Sequence, residues 1–96
     1  MKPGVWSANN PCYYAYFWGG SGSDQWERMT DSDGDGIFSC TIPGTGRTNV
    51  KILRKNPSNG CGENWDNSWN DTGDQTISGN CLTVNNWGSY SWSTIT

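Results

Sequence analysis

Aromatic rings are the main chemistry this chain has to offer. From Tyr13 to Trp26 it reads YYAYFWGGSGSDQW: five aromatic residues in the first six positions, then a Gly/Ser loop that delivers one more indole. Reactive groups are scarce. The chain has no histidine, so no Ser or Cys has an imidazole base to make it a nucleophile. Nine Asp and Glu would admit a carboxylate pair of the glycoside-hydrolase kind. Only Glu27 and Glu63 are glutamates, however, and most aspartates fall in turn sequences. A chain of 96 residues also scarcely forms a cleft that excludes water. The carboxylates read as solvated turn residues, and the expected chemistry is binding without a catalytic residue.

The rings have a spacing that suits binding. Side chains alternate faces along a strand, so Tyr14, Tyr16 and Trp18 share one face while Tyr13, Ala15 and Phe17 share the other. Ala15 and Phe17 suit a core. That puts Tyr14 and Tyr16 on the outer face about 7 Å apart, close enough to act as one platform, with the Gly/Ser loop bringing Trp26 nearby. A pyranose packs its apolar C–H face on such rings, and its hydroxyls then need amide, guanidinium or ammonium partners around the edge. Ordinary cross-strand packing is the competing account of any single outward Tyr.

The elements that must hold these rings are short strands. Gly, Ser, Thr and Asn make up 44 of the residues, and no window of eleven or more carries an apolar pattern at helical spacing. Strands are expected at 5–7, 12–18, 26–30, 37–42, 48–55, 75–77, 81–84 and 90–94, with a long polar loop at 56–73. Segment 26–30 reads equally as an ordered loop. The interval of about ten residues is that of a β-sandwich, a single domain over residues 1–96. Leu, Ile, Val and Phe number only twelve, against seven Trp and four Tyr, so the core has moved from aliphatic residues into rings. The net charge of −3, with six Lys and Arg against nine acids, argues against nucleic acid, which needs clustered basic residues. No apolar run or basic amphipathic helix supports a membrane role.

Cys12, Cys40, Cys61 and Cys81 fit no zinc spacing, and two disulfides of open pairing are expected, which implies an oxidising, secreted setting. The start, MKPGVW, lacks the apolar stretch of a secretion signal, so the chain reads as a module excised from a longer exported protein, with Met1 added. Asp31, Asp33 and Asp35 in DSDGDG resemble the opening of a calcium loop. Position twelve is Ile42 in place of the bidentate Glu, and an Asp-Gly turn is the simpler reading, with no metal. Trp65 and Trp69 either extend the ring platform or cap the open end of the sandwich, capping being the expectation. Trp87 and Trp92 are expected as edge and core fillers.

The blocks CYYAYFW, QWERM, DGDGIFSCTIP, VKILRKN and WNDTGDQTI, in this order over about residues 5–84, resemble those of the family 26 carbohydrate-binding modules, starch-binding modules attached to bacterial amylases. The most specific element is the Tyr-x-Tyr strand with a following Trp, here Tyr14, Tyr16 and Trp26. Trp26-Glu27-Arg28 stands where the family often has Trp-Pro-Gly, and four cysteines are not a general family feature. The resemblance implies a small antiparallel, immunoglobulin-like β-sandwich that binds α-glucan (starch, amylopectin or malto-oligosaccharide). Tyr14, Tyr16 and Trp26 would stack on glucose units. Gln75, in the matching Gln75-Thr76 block, and Arg54 or Lys55 on the central strand would hydrogen-bond hydroxyls. It further implies no cofactor, a monomer, and a parent glycoside hydrolase in cis. Two other occupants of the same rings are a β-linked polysaccharide such as cellulose or xylan, and a protein partner, for which Trp and Tyr serve as anchors.

Overall fold

A computed structural model describes residues 1–20, 24–31, 34–40, 48–59, 61, 65 and 68–94. Among these, seven strands run in the order β1 (Cys12–Trp18), β2 (Gln25–Met29), β3 (Asn49–Lys55), β4 (Ser68–Asp71), β5 (Gln75–Thr76), β6 (Cys81–Asn86) and β7 (Ser89–Ser93). β2, β1, β3 and β4 lie side by side, β5 also pairs with β3, and β6 and β7 form a second, two-stranded sheet. Every pairing between these strands is antiparallel. The fold is an all-β antiparallel sandwich, as the strand spacing predicts. No helix among the described residues is long and apolar enough to cross a membrane.

β1 lies at the centre because its inward residues find apolar partners in register. Ala15 stands opposite Ile52 and Phe17 opposite Val50, all four buried. β6 contributes Leu82 and Val84 from the second sheet, and Met1, Trp6 and Met29 join the same cluster. Each fully buried side chain of this size stabilises the fold by about 1.5–3 kcal/mol. Rings supply the rest of the filling, as the composition requires. Trp6 is wholly buried with Tyr90 edge-on at 5.6 Å, and Tyr13 meets Phe38 edge-on at 4.7 Å. The Tyr13 hydroxyl donates to the Trp6 carbonyl at 2.9 Å. Burial pushes that phenol up to about 12, against a downward pull from the Arg54 charge.

Several elements differ from the sequence expectation. The opening segment 5–7 is one turn of 3-10 helix, Gly4–Ser7, and not a strand. Gly4 enters it at φ 52, where a Cβ would stand 2.6 Å from the Val84 carbonyl oxygen. The chain therefore turns under β6 instead of extending. Within 37–42 the described residues hold only a bridge from Ser39 to Thr30; the remainder, 41 and 42, lies outside the described residues. The polar stretch 56–73 is not all loop, since it contains β4 on the edge of β3. Around DSDGDG, Asp31 accepts from the backbone N–H groups of Asp35 and Gly36, and Asp35 accepts from that of Ile37. These carboxylates are spent on shaping a turn. Asp33 is outside the described residues.

One disulfide is present, not two. Cys12 joins Cys61 across 49 residues of sequence, while Cys40 and Cys81 are free thiols. Alternation explains why the second pair does not form. Cys40 and Leu82 line one apolar cavity of about 170 Å³ between the sheets. Cys81, the neighbour of Leu82 on β6, therefore points to the opposite side of its sheet.

Candidate functional site

The outer face of the larger sheet carries the rings. Tyr16 on β1 stands directly across from Trp26 on β2, and across from Lys51 on β3 at its other side. Trp65, from the connection between β3 and β4, closes over both rings. The three centroids form a near-equilateral triangle: Tyr16–Trp26 4.9 Å, Tyr16–Trp65 4.8 Å and Trp26–Trp65 4.7 Å. Their planes meet at 57°, 64° and 62°, so the rings wall a concave corner and do not form a flat row. Trp18 adds a fourth ring 5.9 Å from Tyr16. Trp65 is 52% exposed, Tyr16, Trp18 and Trp26 are half-buried, and the cluster opens to solvent.

Polar groups stand at the edge of this corner. The Tyr16 hydroxyl donates to Asp24 Oδ2. That bond raises the phenol above its ordinary range, with smaller contributions from desolvation and from the Asp24 charge. Lys51 Nζ lies 3.4 Å from Asp74 Oδ1 and 5.4 Å from the centroid of the Trp65 ring. Tyr16, Trp18, Asp24, Lys51, Trp65 and Asp74 together line an open concavity of about 250 Å³. That is below the range that encloses a drug-sized ligand. The arrangement can stack on an apolar face while offering an ammonium donor and carboxylate acceptors around it.

Four residues expected at a binding platform, Tyr14, Arg54, Lys55 and Gln75, do not stand open beside the rings. Tyr14 shares the face of Tyr16 but is only 4% exposed. Trp26 meets its ring in a T-shaped contact with centroids 6.3 Å apart, and the Lys55 ammonium lies 5.6 Å and the Arg28 guanidinium 6.0 Å from its centroid. Arg28 also reaches Cys12 Sγ at 3.8 Å. Tyr14 is therefore covered and presents no open stacking surface. Arg54 is 5% exposed and pairs with the inward residue Tyr13. It donates from Nε to the Trp6 carbonyl at 2.8 Å and from a terminal nitrogen to the Ala8 carbonyl at 2.5 Å. It holds the opening turn against the sheet and is not a contact for the rings. Lys55, the other central-strand candidate, is wholly buried.

Gln75 lies across from the core residue Val50, on the face away from the rings. It donates to the Thr72 carbonyl at 3.1 Å and accepts from Trp92 Nε1 at 3.3 Å. Trp69 does not cap the sandwich as a buried plug, being 40% exposed over Arg54. Trp87 is the most exposed large apolar residue among the described residues, at 55%.

The ring triangle thus keeps Tyr16 and Trp26 from the sequence reading and places Trp65 as an extension of the ring platform in place of the expected cap, with Lys51, Asp24 and Asp74 beside it. Lys51 was within reach of sequence reasoning: antiparallel pairing of the two strongest strands puts one β3 residue opposite each β1 ring. Trp65 gave no such signal, because its position follows from a loop path. No protein-family model, curated protein or solved structure matches this chain.

Proposed function

We propose that the corner formed by Tyr16, Trp26 and Trp65 binds carbohydrate, and that the chain is a non-catalytic module holding an α-glucan such as starch or a malto-oligosaccharide. One observation carries the reading: three rings from three different elements, Trp65 exposed and Tyr16 and Trp26 half-buried, meet at the surface inclined at 57–64° to one another. Such rings cost the fold exposed apolar surface, which a monomeric domain rarely leaves in one patch without use. An inclined set fits the bend between successive α-1,4-linked glucose units. The extended ribbon of a β-1,4 chain would call for coplanar rings. Asp24, Lys51 and Asp74 at the rim supply acceptors and a donor for the sugar hydroxyls.

The Cys12–Cys61 bond is compatible with an exported protein, and a module of this kind would work beside an attached glycoside hydrolase without needing a cofactor. An open, wet corner gives modest affinity for one chain segment, and avidity then comes from linkage. Gel retardation tests the assignment. The protein should be slowed in gels containing amylopectin and not in gels containing cellulose derivatives or xylan, and Trp65→Ala should run as in a glycan-free gel. Unchanged retardation of Trp65→Ala would remove the site assignment, and retardation by xylan alone would replace the α-glucan with a β-linked chain.

A further inference from the structure

A second pair of open indoles lies away from the corner described above. Trp69 on β4 is 40% exposed and Trp87, in the turn between β6 and β7, is 55% exposed, values that bracket the 52% of Trp65. The two rings come from different sheets and share one spacer. The Arg54 guanidinium lies 4.5 Å from the Trp69 centroid and 5.3 Å from that of Trp87. That guanidinium is fixed from below by the Trp6 and Ala8 carbonyls and, at 3.4 Å, by Asn70 Oδ1. Its charge is directed into the protein, so the patch is not an anion site. Amides and a phenol stand nearby, with the Asp71 carboxylate acting on the phenol. Asn70 flanks Trp69, Asn86 Oδ1 accepts from the Trp87 backbone N–H at 2.9 Å, and the Tyr90 hydroxyl lies close by, donating to the Asp71 carbonyl at 3.4 Å.

We propose that Trp69 and Trp87, held apart by Arg54, form a second carbohydrate site, which binds a neutral glycan segment independently of the first. The inference rests on the carbohydrate reading of the first corner for its ligand class. Two observations favour a glycan over another copy of the chain. Two indoles at these exposures offer roughly 200 Å² of ring surface, against about 800 Å² per partner in a stable interface. The rim also includes amides and a phenol, which serve hydroxyls as donors and acceptors alike. The two sites face apart. Arg54 pairs with the inward Tyr13 and Lys51 with the outward Tyr16, three residues along β3, about 10 Å at strand rise. A segment lying in one site does not enter the other, so one molecule joins two chain segments.

Titration with maltoheptaose, followed through the indole N–H resonances of protein labelled at Trp, tests this. In the wild type, the indole signals of Trp69 and Trp87 should move to saturation alongside those of Trp26 and Trp65. Trp65→Ala should abolish shifts at Trp26 alone, and Trp87→Ala should abolish those at Trp69 alone. Trp87 sits in an exposed turn, so its variant is expected to melt as the wild type does; should it not, the wild-type shifts of Trp69 and Trp87 decide the matter by themselves. If Trp65→Ala removes every shift, or if Trp69 and Trp87 stay still while Trp65 saturates, the second site is overturned and the first stands. If Trp87→Ala removes every shift and Trp65→Ala none, the first site falls and the second stands. No indole shift at all overturns both. A dimer by sedimentation that Trp87→Ala dissociates would make the patch a self-contact and overturn the glycan assignment.

Discussion

Tyr14 and Tyr16 stand two residues apart on the same face of the same strand, yet one is covered and the other forms a binding corner. Each has a β2 and a β3 residue directly opposite. For Tyr14 these are Arg28 and Leu53, and for Tyr16 they are Trp26 and Lys51. At the Tyr14 end, the Arg28 guanidinium and the Lys55 ammonium lie over the ring, and the Cys12–Cys61 bond shares the face. At the Tyr16 end, Lys51 is drawn to Asp74, the ring meets Trp18, Trp26 and the half-exposed Trp65, and the hydroxyl donates to Asp24. Alternation therefore assigns a side chain to a face, while the covering of that face decides between structure and recognition.

Removing the covering should have the largest effect. A bond closing a loop of this length contributes about 4 kcal/mol through the unfolded state. The double variant Cys12→Ala, Cys61→Ala should lose about that much in urea unfolding. A loss well under 1 kcal/mol would show that the Tyr14 end holds itself together. Next in size, Tyr14→Ala should cost about 3 kcal/mol as a buried ring, while Tyr16→Ala should cost about 1 kcal/mol, the scale of a cross-strand pair, and should impair glycan retardation. Equal costs in the same denaturation experiment would erase the contrast between the two ends. The smallest effect is a titration. With Asp24→Asn, the Tyr16 phenol should ionise at lower pH than in the wild type, because the carboxylate that favours its protonated form is gone. Ultraviolet difference spectra should show that step moving down while the buried Tyr13 still ionises near pH 12. An unmoved Tyr16 step would mean that the bond to Asp24 does not govern the phenol.

Much of the sheet was legible in the sequence. CYYAYFW and TNVKILRK are the runs richest in strand-forming residues, and they are β1 and, from Asn49 on, β3. QWERM also became a strand, which put Trp26 across from Tyr16. β4 was hidden because SWND holds a single apolar residue, Trp69, and so shows no alternation, as an edge strand with one solvated face can. The site was half legible for a related reason. Rings on paired strands follow from periodicity, but Tyr14 is buried by the ends of Arg28 and Lys55, long side chains whose reach no spacing reveals. Arg54 and Gln75 misled because a polar residue on a central strand suggests an outward contact. Here each is turned inward and satisfied, Arg54 by carbonyls of the opening turn and Gln75 by Thr72 and Trp92.

The register that pairs Tyr16 with Trp26 also bears on how this surface can vary among descendants of the chain. Neither ring can be relocated without sliding one strand past the other, and a slide of one residue turns every side chain of β2 to the opposite face. Trp65 carries no such obligation, since it hangs from a connection and not from a ladder. Inheritance can thus retune the contour of the corner by altering that one segment, while two of its three walls remain copies of the ancestral sheet.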